Sequence, residues 1–308
     1  MARISTYTNT GLLIGDQRRD QLLLAVDFDG DGIAASAGEL SVFFDADNGS
    51  GLELPTNNVF TVHQAPDAAV YYGDGSADSV FRLMDLNNDG DAQDAGEAVA
   101  WFTADNASGF STVTPNGIAT GGDGAIYIAN AGTGSAPQDA TYRTVDLNGD
   151  GDADDEGEST LWLDVQTLIE TAVPFDLTFV GDVAYLNDLT GTADDVIWRL
   201  EDLNGDGSIG EGEAKPFISD AMNFGAPVDI SSSAGPEGEL YALSWFPSLA
   251  DGEVPRLYRL TDLNGSDDID DAQEAVEVWN DSALPEGFEM FVGFSVVAHG
   301  DGRVSLTS

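Results

Sequence analysis

An all-β fold, a five-bladed β-propeller of four-stranded antiparallel blades, is predicted by three features: an acidic segment repeated five times, strand-like runs flanking each copy, and little helical periodicity. The segments are DFDGDGIAASAGE from Asp27, DLNNDGDAQDAGE from Asp85, DLNGDGDADDEGE from Asp146, DLNGDGSIGEGE from Asp202 and DLNGSDDIDDAQE from Asp262. Their starts lie 56 to 61 residues apart, so one supersecondary unit recurs with small changes in loop length across a single domain, residues 1–308.

Before the loops stand SVFRLMDL, ATYRTVDL, DVIWRLEDL and RLYRLTDL, and after them AVAWF, STLWL, AKPFI and AVEVW, all rich in β-branched and aromatic residues. Each acidic loop (27–39, 85–97, 146–158, 202–213 and 262–274) therefore closes an outer hairpin. Two further runs precede each hairpin, such as NGIATGG with GAIYIAN and FDLTFVG with DVAYLND, which makes four strands per unit. Only residues 161–171 carry a helical pattern. The chain starts with GLLIGD and QLLLAVDF and finishes with FVGFSVVAHG and RVSLTS, so the two ends are expected to share one blade, closing the ring and leaving no open sheet edge.

Composition bounds the partners. With 56 acidic against 10 basic residues the net charge is −46, which disfavours nucleic acid and anionic membranes. Five bound dications would cancel only part of this. The remainder resembles the surface of salt-adapted secreted proteins, and an extracellular or cell-surface monomer is expected, although MARISTYTNTG lacks a secretory pattern. Without cysteine neither disulfides nor thiolate zinc can staple the fold, which leaves metal ions on oxygen ligands. No run of 18 apolar residues predicts a membrane span.

The pattern D-x-[DN]-x-D-G sets oxygen ligands at the first, third and fifth positions, a glycine at the sharp turn and a backbone carbonyl at the seventh, with a late glutamate closing the shell, as in an EF-hand loop. Four to five Ca²⁺ ions are expected. The ligand sets are Asp27, Asp29, Asp31, Ile33 and Glu39; Asp85, Asn87, Asp89, Asp91 and Glu97; Asp146, Asn148, Asp150, Asp152 and Glu158; Asp202, Asn204, Asp206, Ser208 and Glu213; and Asp262, Asn264, Ser266, Asp268 and Glu274. Hard carboxylate and carbonyl donors on a flexible loop suit calcium over magnesium or softer metals. The glutamate is thirteenth in four loops and twelfth only at Glu213, so either a bulge absorbs the extra residue or Asp94, Asp155 or Asp271 takes its place. The fifth loop is expected to bind least tightly, because Ser266 replaces an aspartate and Asp267 stands where glycine is favoured.

PNGIATGGDGAIYIAN resembles the blade pattern of NHL and gluconolactonase-like propellers, and the R-L strand followed by DLNGDGDADDEGE resembles calcium-loop propellers of bacterial exoproteins. Both likenesses imply fold more than activity. The first implies that Asn58, Asn116, Asp176 and Asp229, near the starts of the first strands, line a central channel and hold a Ca²⁺ that polarises a lactone or ester carbonyl. Turn signals explain the same residues without chemistry. His63 and His299 have no neighbouring serine or acid in nucleophile spacing, and Arg82, Arg143, Arg199 and Arg259 recur three residues before a loop, as a structural element would. Phe81, Tyr142, Trp198 and Tyr258 are expected to pack between blades. The reading is a calcium-stabilised scaffold that binds a partner, with a channel hydrolase of lactones or phosphoesters, or a carbohydrate-binding lectin, as alternatives.

Overall fold

The computed structural model describes residues 2–7, 11–31, 34–54, 59–132, 139–189, 195–219, 231–244, 255–280 and 295–307. Each run of alternating or β-branched residues becomes one strand. Blade 1 is β1 (Ala2–Tyr7), β2 (Gly11–Asp16), β3 (Gln21–Val26) and β4 (Leu40–Phe44). Blade 2 is β5 (Val59–Gln64), β6 (Val70–Asp74), β7 (Ser79–Leu83) and β8 (Ala98–Thr103). Blade 3 is β9 (Pro115–Thr120), β10 (Ile126–Ala131), β11 (Asp139–Thr144) and β12 (Ser159–Asp164). Blade 4 is β13 (Pro174–Val180), β14 (Val183–Asp188), β15 (Val196–Leu200) and β16 (Ala214–Ser219), and blade 5 is β17 (Ser231–Ala234), β18 (Leu240–Leu243), β19 (Arg256–Leu260) and β20 (Ala275–Asn280). In each the strands pair antiparallel in sequence order, as expected for the five blades. The helical pattern at 161–171 resolves into the end of β12 and one 3₁₀ turn, Val165–Thr167, capped by the Asp164 carboxylate.

The ends of the chain depart from expectation. Ala2–Tyr7 is itself a strand, paired residue by residue with β2 from Ala2–Asp16 to Tyr7–Gly11, so blade 1 is complete without help. The C-terminal runs instead pair with each other as a separate two-stranded sheet, β21 (Ser295–Ala298) and β22 (Val304–Thr307). The first strands β1, β5, β9, β13, β17 and β21 follow one another around the axis, and β21 packs against both β17 and β1. The ring is thus closed by the terminal strands through packing, while the shared blade is corrected: β1 already holds the position the C-terminal strands were expected to take.

The hydrophobic core lies between the blades rather than within them. Phe43 and Leu13 of blade 1 pack with Tyr72 and Phe81 of blade 2, Trp101 with Ile128 and Tyr142 across the next seam, and Trp162 with Leu177 and Trp198 across the third. Phe217 packs with Tyr258 across the fourth, and Leu257 with Val296 against the terminal hairpin. Phe81, Tyr142, Trp198 and Tyr258 are all buried in these seams, as expected. Each such side chain stabilises the ring by about 1.5–3 kcal/mol through burial alone. Close approach also needs glycine: a Cβ on Gly117 would stand 2.8 Å from the Leu177 nitrogen and 2.9 Å from Asp176 Cα, so β9 and β13 could not converge with any other residue there.

Candidate functional site: acidic loops and the central channel

All five acidic loops join the third and fourth strands of a blade. The first aspartate folds back over its own loop: Asp85 accepts from the N–H groups of Asn88 (2.6 Å) and Gly90 (3.0 Å), Asp146 from Gly149 and Gly151, Asp202 from Gly205 and Gly207, and Asp27 from Gly30. The third residue accepts from the fifth, as in Asn148 Oδ1 with the Asp150 N–H at 2.8 Å, and Asp29, Asn87, Asn204 and Asn264 do the same. Positive φ at Gly90 (99°), Gly151 (105°) and Gly207 (85°) makes the sharp turn. Ile33 lies outside the described residues.

The glutamates behave alike whether twelfth or thirteenth. Glu97 Oε1 accepts from the N–H groups of Leu86 (2.8 Å) and Asn87 (3.3 Å), and Oε2 from Asp94 (3.1 Å). Glu39, Glu158, Glu213 and Glu274 repeat both contacts, and all five are buried. Asp94 and Asp155 accept from the side-chain amides of Asn87 and Asn148. Burial pushes Glu274 up, but the N–H groups of Leu263, Asp270 and Asp271 outweigh it and hold the carboxyl below its usual range. Burial, then the carboxylates around them, push Asp91 and Asp152 above theirs.

Carboxylate oxygens of Asp27, Asp29 and Glu39, and of Asp150, Asp152 and Glu158, lie within 4.8 Å of one another, a donor set that suits a hard cation. The fifth loop differs as its sequence suggests. Asp267 adopts a φ of 63°, and its carboxylate meets Lys215 Nζ at 2.9 Å and an Arg199 nitrogen at 3.4 Å. The only lysine of the chain thus pairs with one carboxylate of this loop from the neighbouring blade. Arg143 serves its own blade, pairing with Asp123 at 2.7 Å, and Arg82 stands 3.9 Å from Asp67.

A feature that sequence reasoning missed lies beside these loops. In every blade the ladder between third and fourth strands skips one residue of the fourth: Phe43, Trp101, Trp162, Phe217 and Val278 each bulge out of register. Four of the bulged carbonyls accept the N–H of the eighth residue of the next blade's loop: Phe43 from Ala92 (2.8 Å), and Trp101, Trp162 and Phe217 from Ala153, Ile209 and Ile269 (2.7 Å each). A bulge re-aims a group that the ladder would otherwise use. Here it ties each loop to the preceding blade, with further contacts such as Asp154 Oδ2 accepting from Thr103 Oγ1 at 2.6 Å. The second residues of the loops, Phe28, Leu86, Leu147, Leu203 and Leu263, are exposed while their N–H groups lie under the glutamates.

At the axis, Thr61, His63, Asp176, Thr178, Ser231, Ser233 and Ser295 line a cavity of about 90 Å³. Asp176 belongs to it, and its Oδ2 accepts from the Ser232 N–H at 3.1 Å. Asn116 does not line it; its buried amide donates to the Pro174 carbonyl at 2.9 Å. Asn58 and Asp229 lie outside the described residues. His63 stands on the channel wall, Nε2 at 2.8 Å from Thr120 Oγ1, and burial lowers its pKa to about 4. His299 lies 2.8 Å from Ser305 Oγ, away from the cavity.

This architecture is that of a β-propeller. No family model and no curated protein sequence matches the chain. Among solved structures it is similar to a gluconolactonase from Xanthomonas campestris (TM-score 0.59, 14% identity, 99% of this chain and 82% of that one). It is also similar to virginiamycin B lyase from Staphylococcus aureus (0.54, 14%, 99% and 77%) and to a chain of a nidogen/laminin complex (0.59, 15%, 97% and 85%). At such identities the likeness establishes the fold. Among the described residues no helix is long and apolar enough to cross a membrane.

Proposed function

We propose that this chain is a calcium-binding β-propeller, secreted or surface-associated, in which Ca²⁺ fixes the loops that clasp neighbouring blades and so rigidifies a scaffold for binding a partner. One observation carries the reading: in the third loop the oxygens of Asp150, Asp152 and Glu158 converge, and the eighth residue of the same loop, Ala153, is tied to the Trp101 carbonyl of the preceding blade. Crowded carboxylates repel one another, and a dication between them relieves that repulsion while ordering the turn. Four or five ions per chain are expected by atomic emission, with the fifth loop weakest. A ligand that binds only the native state at a hundred times its Kd adds about 2.7 kcal/mol per site. Chelation should therefore lower the thermal midpoint by roughly 10 °C or more, at about 2–4 °C per kcal/mol for a chain of this order. A protein that proves metal-free and melts at the same temperature with and without chelator defeats the proposal.

A second reading, a Ca²⁺-dependent hydrolase of lactones or phosphoesters, is favoured by the carboxylate of Asp176 in the channel and by the likeness to a gluconolactonase. Turnover of model esters that disappears in Asp176→Ala would support it, and inactivity across a broad ester panel counts against it.

A further inference from the structure

Between blades 2 and 3, beside the third acidic loop, lies a pocket of about 470 Å³ walled by Tyr71, Arg82 and Trp101 of blade 2 and by Ile126, Thr144 and the 149–151 turn of blade 3. Small-molecule sites span about 300–1,000 Å³, a range that the channel cavity of about 90 Å³ does not reach. The counterpart between blades 4 and 5, walled by Tyr185, Arg199 and Phe217, holds about 260 Å³. Single residues account for the contrast. At that seam Asp267 stands where the third loop has Gly151, and its carboxylate reaches Arg199 at 3.4 Å. Between blades 3 and 4, Phe179 packs on Tyr127 with ring centroids 4.8 Å apart and on Trp162 at 6.1 Å. The register puts Thr120 at the matching place in blade 3, and Thr120 turns away to His63 at 2.8 Å.

The wall of the pocket is fixed before any ligand arrives. Trp101 Nε1–H donates to Thr144 Oγ1 at 3.0 Å, the Thr144 hydroxyl donates to the Ile126 carbonyl at 2.8 Å, and the Trp101 carbonyl takes the Ala153 N–H at 2.7 Å. Such preorganisation lowers the cost of binding. Arginine supplies the donors. Arg143 and Arg199 each meet a carboxylate at 2.7 Å, whereas Arg82 stands 3.9 Å from Asp67, beyond hydrogen-bond reach. Acceptors come from both blades: Asp67, whose side chain is 59% exposed, and Asp150 of the loop. An anion is repelled by these carboxylates and by the net charge of −46, and a cation leaves the Arg82 donors unanswered. A neutral ligand rich in hydroxyl groups uses both, donating to the carboxylates and accepting from the guanidinium. We propose that the pocket between blades 2 and 3 binds a neutral carbohydrate, with Arg82 and Asp67 on the hydroxyls of one sugar ring. Tyr71 and Trp101 are each 4% exposed, so they supply an apolar floor and the polar contacts choose the sugar. This gives the partner of the scaffold a chemistry and rests on that reading only for there being a partner; Arg82 and Asp67 lie outside the metal loops.

The probes are glucose, galactose, mannose, N-acetylglucosamine and lactose, titrated against the intact protein in calcium and followed in amide and indole NMR spectra. At least one should saturate with a Kd of about 1–10 mM, shifting the Trp101 indole and the Gly149 and Gly151 amides. Arg82→Met and Asp67→Asn, compared at unchanged thermal midpoint, should each weaken it about fivefold or more. The spectra of the unmodified protein need no variant. No saturable binding up to about 100 mM, shifts confined to the channel or to other seams, or equal affinity in Arg82→Met overturns the proposal. Sugar binding that persists in chelator, with the midpoint unmoved, defeats the calcium reading and upholds this site.

Discussion

The carbonyl of Phe217 is turned out of its own sheet by a bulge and accepts the N–H of Ile269, in the acidic loop of the next blade, at 2.7 Å. Phe217 and Ile269 are both buried in the seam, so one contact joins apolar packing, sheet geometry and a candidate metal loop. Amide exchange measures this coupling. In calcium the N–H groups of Ala92, Ala153, Ile209 and Ile269 should exchange slowly, and a chelator should speed them at least about tenfold, which corresponds to losing roughly 1.4 kcal/mol of local stability. Exchange that ignores the chelator would separate the ties from the metal.

The buried glutamates allow a second measurement. In Glu97→Gln the amide nitrogen cannot accept from an N–H, so either Leu86 or Asp94 loses its partner. A stability loss of about 1–3 kcal/mol is expected by denaturant titration even without calcium, with a larger loss in its presence. Glu213→Gln should behave the same way although its loop is one residue shorter.

Two buried groups make opposing contributions to the pH dependence. Burial, with the charges of Asp20 and Asp78 adding to it, raises Asp74 to about 6, and its Oδ2 has no hydrogen-bond partner. A carboxyl whose folded pKa exceeds its ordinary value of 3.8 costs stability as the pH rises from about 4 through 6. Asp74→Asn keeps the acceptor for the Ser76 and Ala77 N–H groups and should stabilise the protein above pH 6 by about 1–2 kcal/mol, with little effect near pH 4. His63, lowered from 6.5 to about 4, acts in the opposite sense: its contribution is complete above 6.5 and is lost as the pH falls toward 4. His63→Gln should flatten that acid-side loss. Melting curves of the two variants between pH 4 and 8 test both signs.

For the fifth loop, Ser266→Asp with Asp267→Gly restores the acidic pattern and removes a non-glycine residue from a φ of 63°, a strain of about 1 kcal/mol. It also gives up exposed pairs with Lys215 and Arg199 that contribute little. The double variant should gain calcium affinity in this loop by about tenfold or more, read by isothermal titration. Unchanged affinity would mean that the loop binds calcium as well with Ser266 and Asp267 in place.

Much of the fold was legible because its signals are local. Alternating oxygens and glycines mark the loops, and aromatic and β-branched runs mark the strands beside them. The first strand escaped notice because ARISTY carries a single large aliphatic residue, Ile4, where its neighbours carry three, and with it went the correct placing of the ends. The bulges at Phe43, Trp101, Trp162 and Phe217 were also illegible, since a bulge is a relation between two strands and leaves no mark on one. The channel was half legible for the same reason. A register shift lies between Pro174 and Asp176, and where Asp176 meets the axis, Asn116 turns into the seam.

The way the ring closes has a mechanical consequence. The first strand and the final hairpin lie side by side, and among the described residues no strand pairing bridges the junction between them. Tension applied through fusions at the two ends would load that junction first and part it like a clasp on a bracelet, while the seams tied by Ala92, Ala153, Ile209 and Ile269 stayed shut. A tether between the ends would take up the same load, turning the weakest joint of the ring into one that heat or force must break along with all the rest.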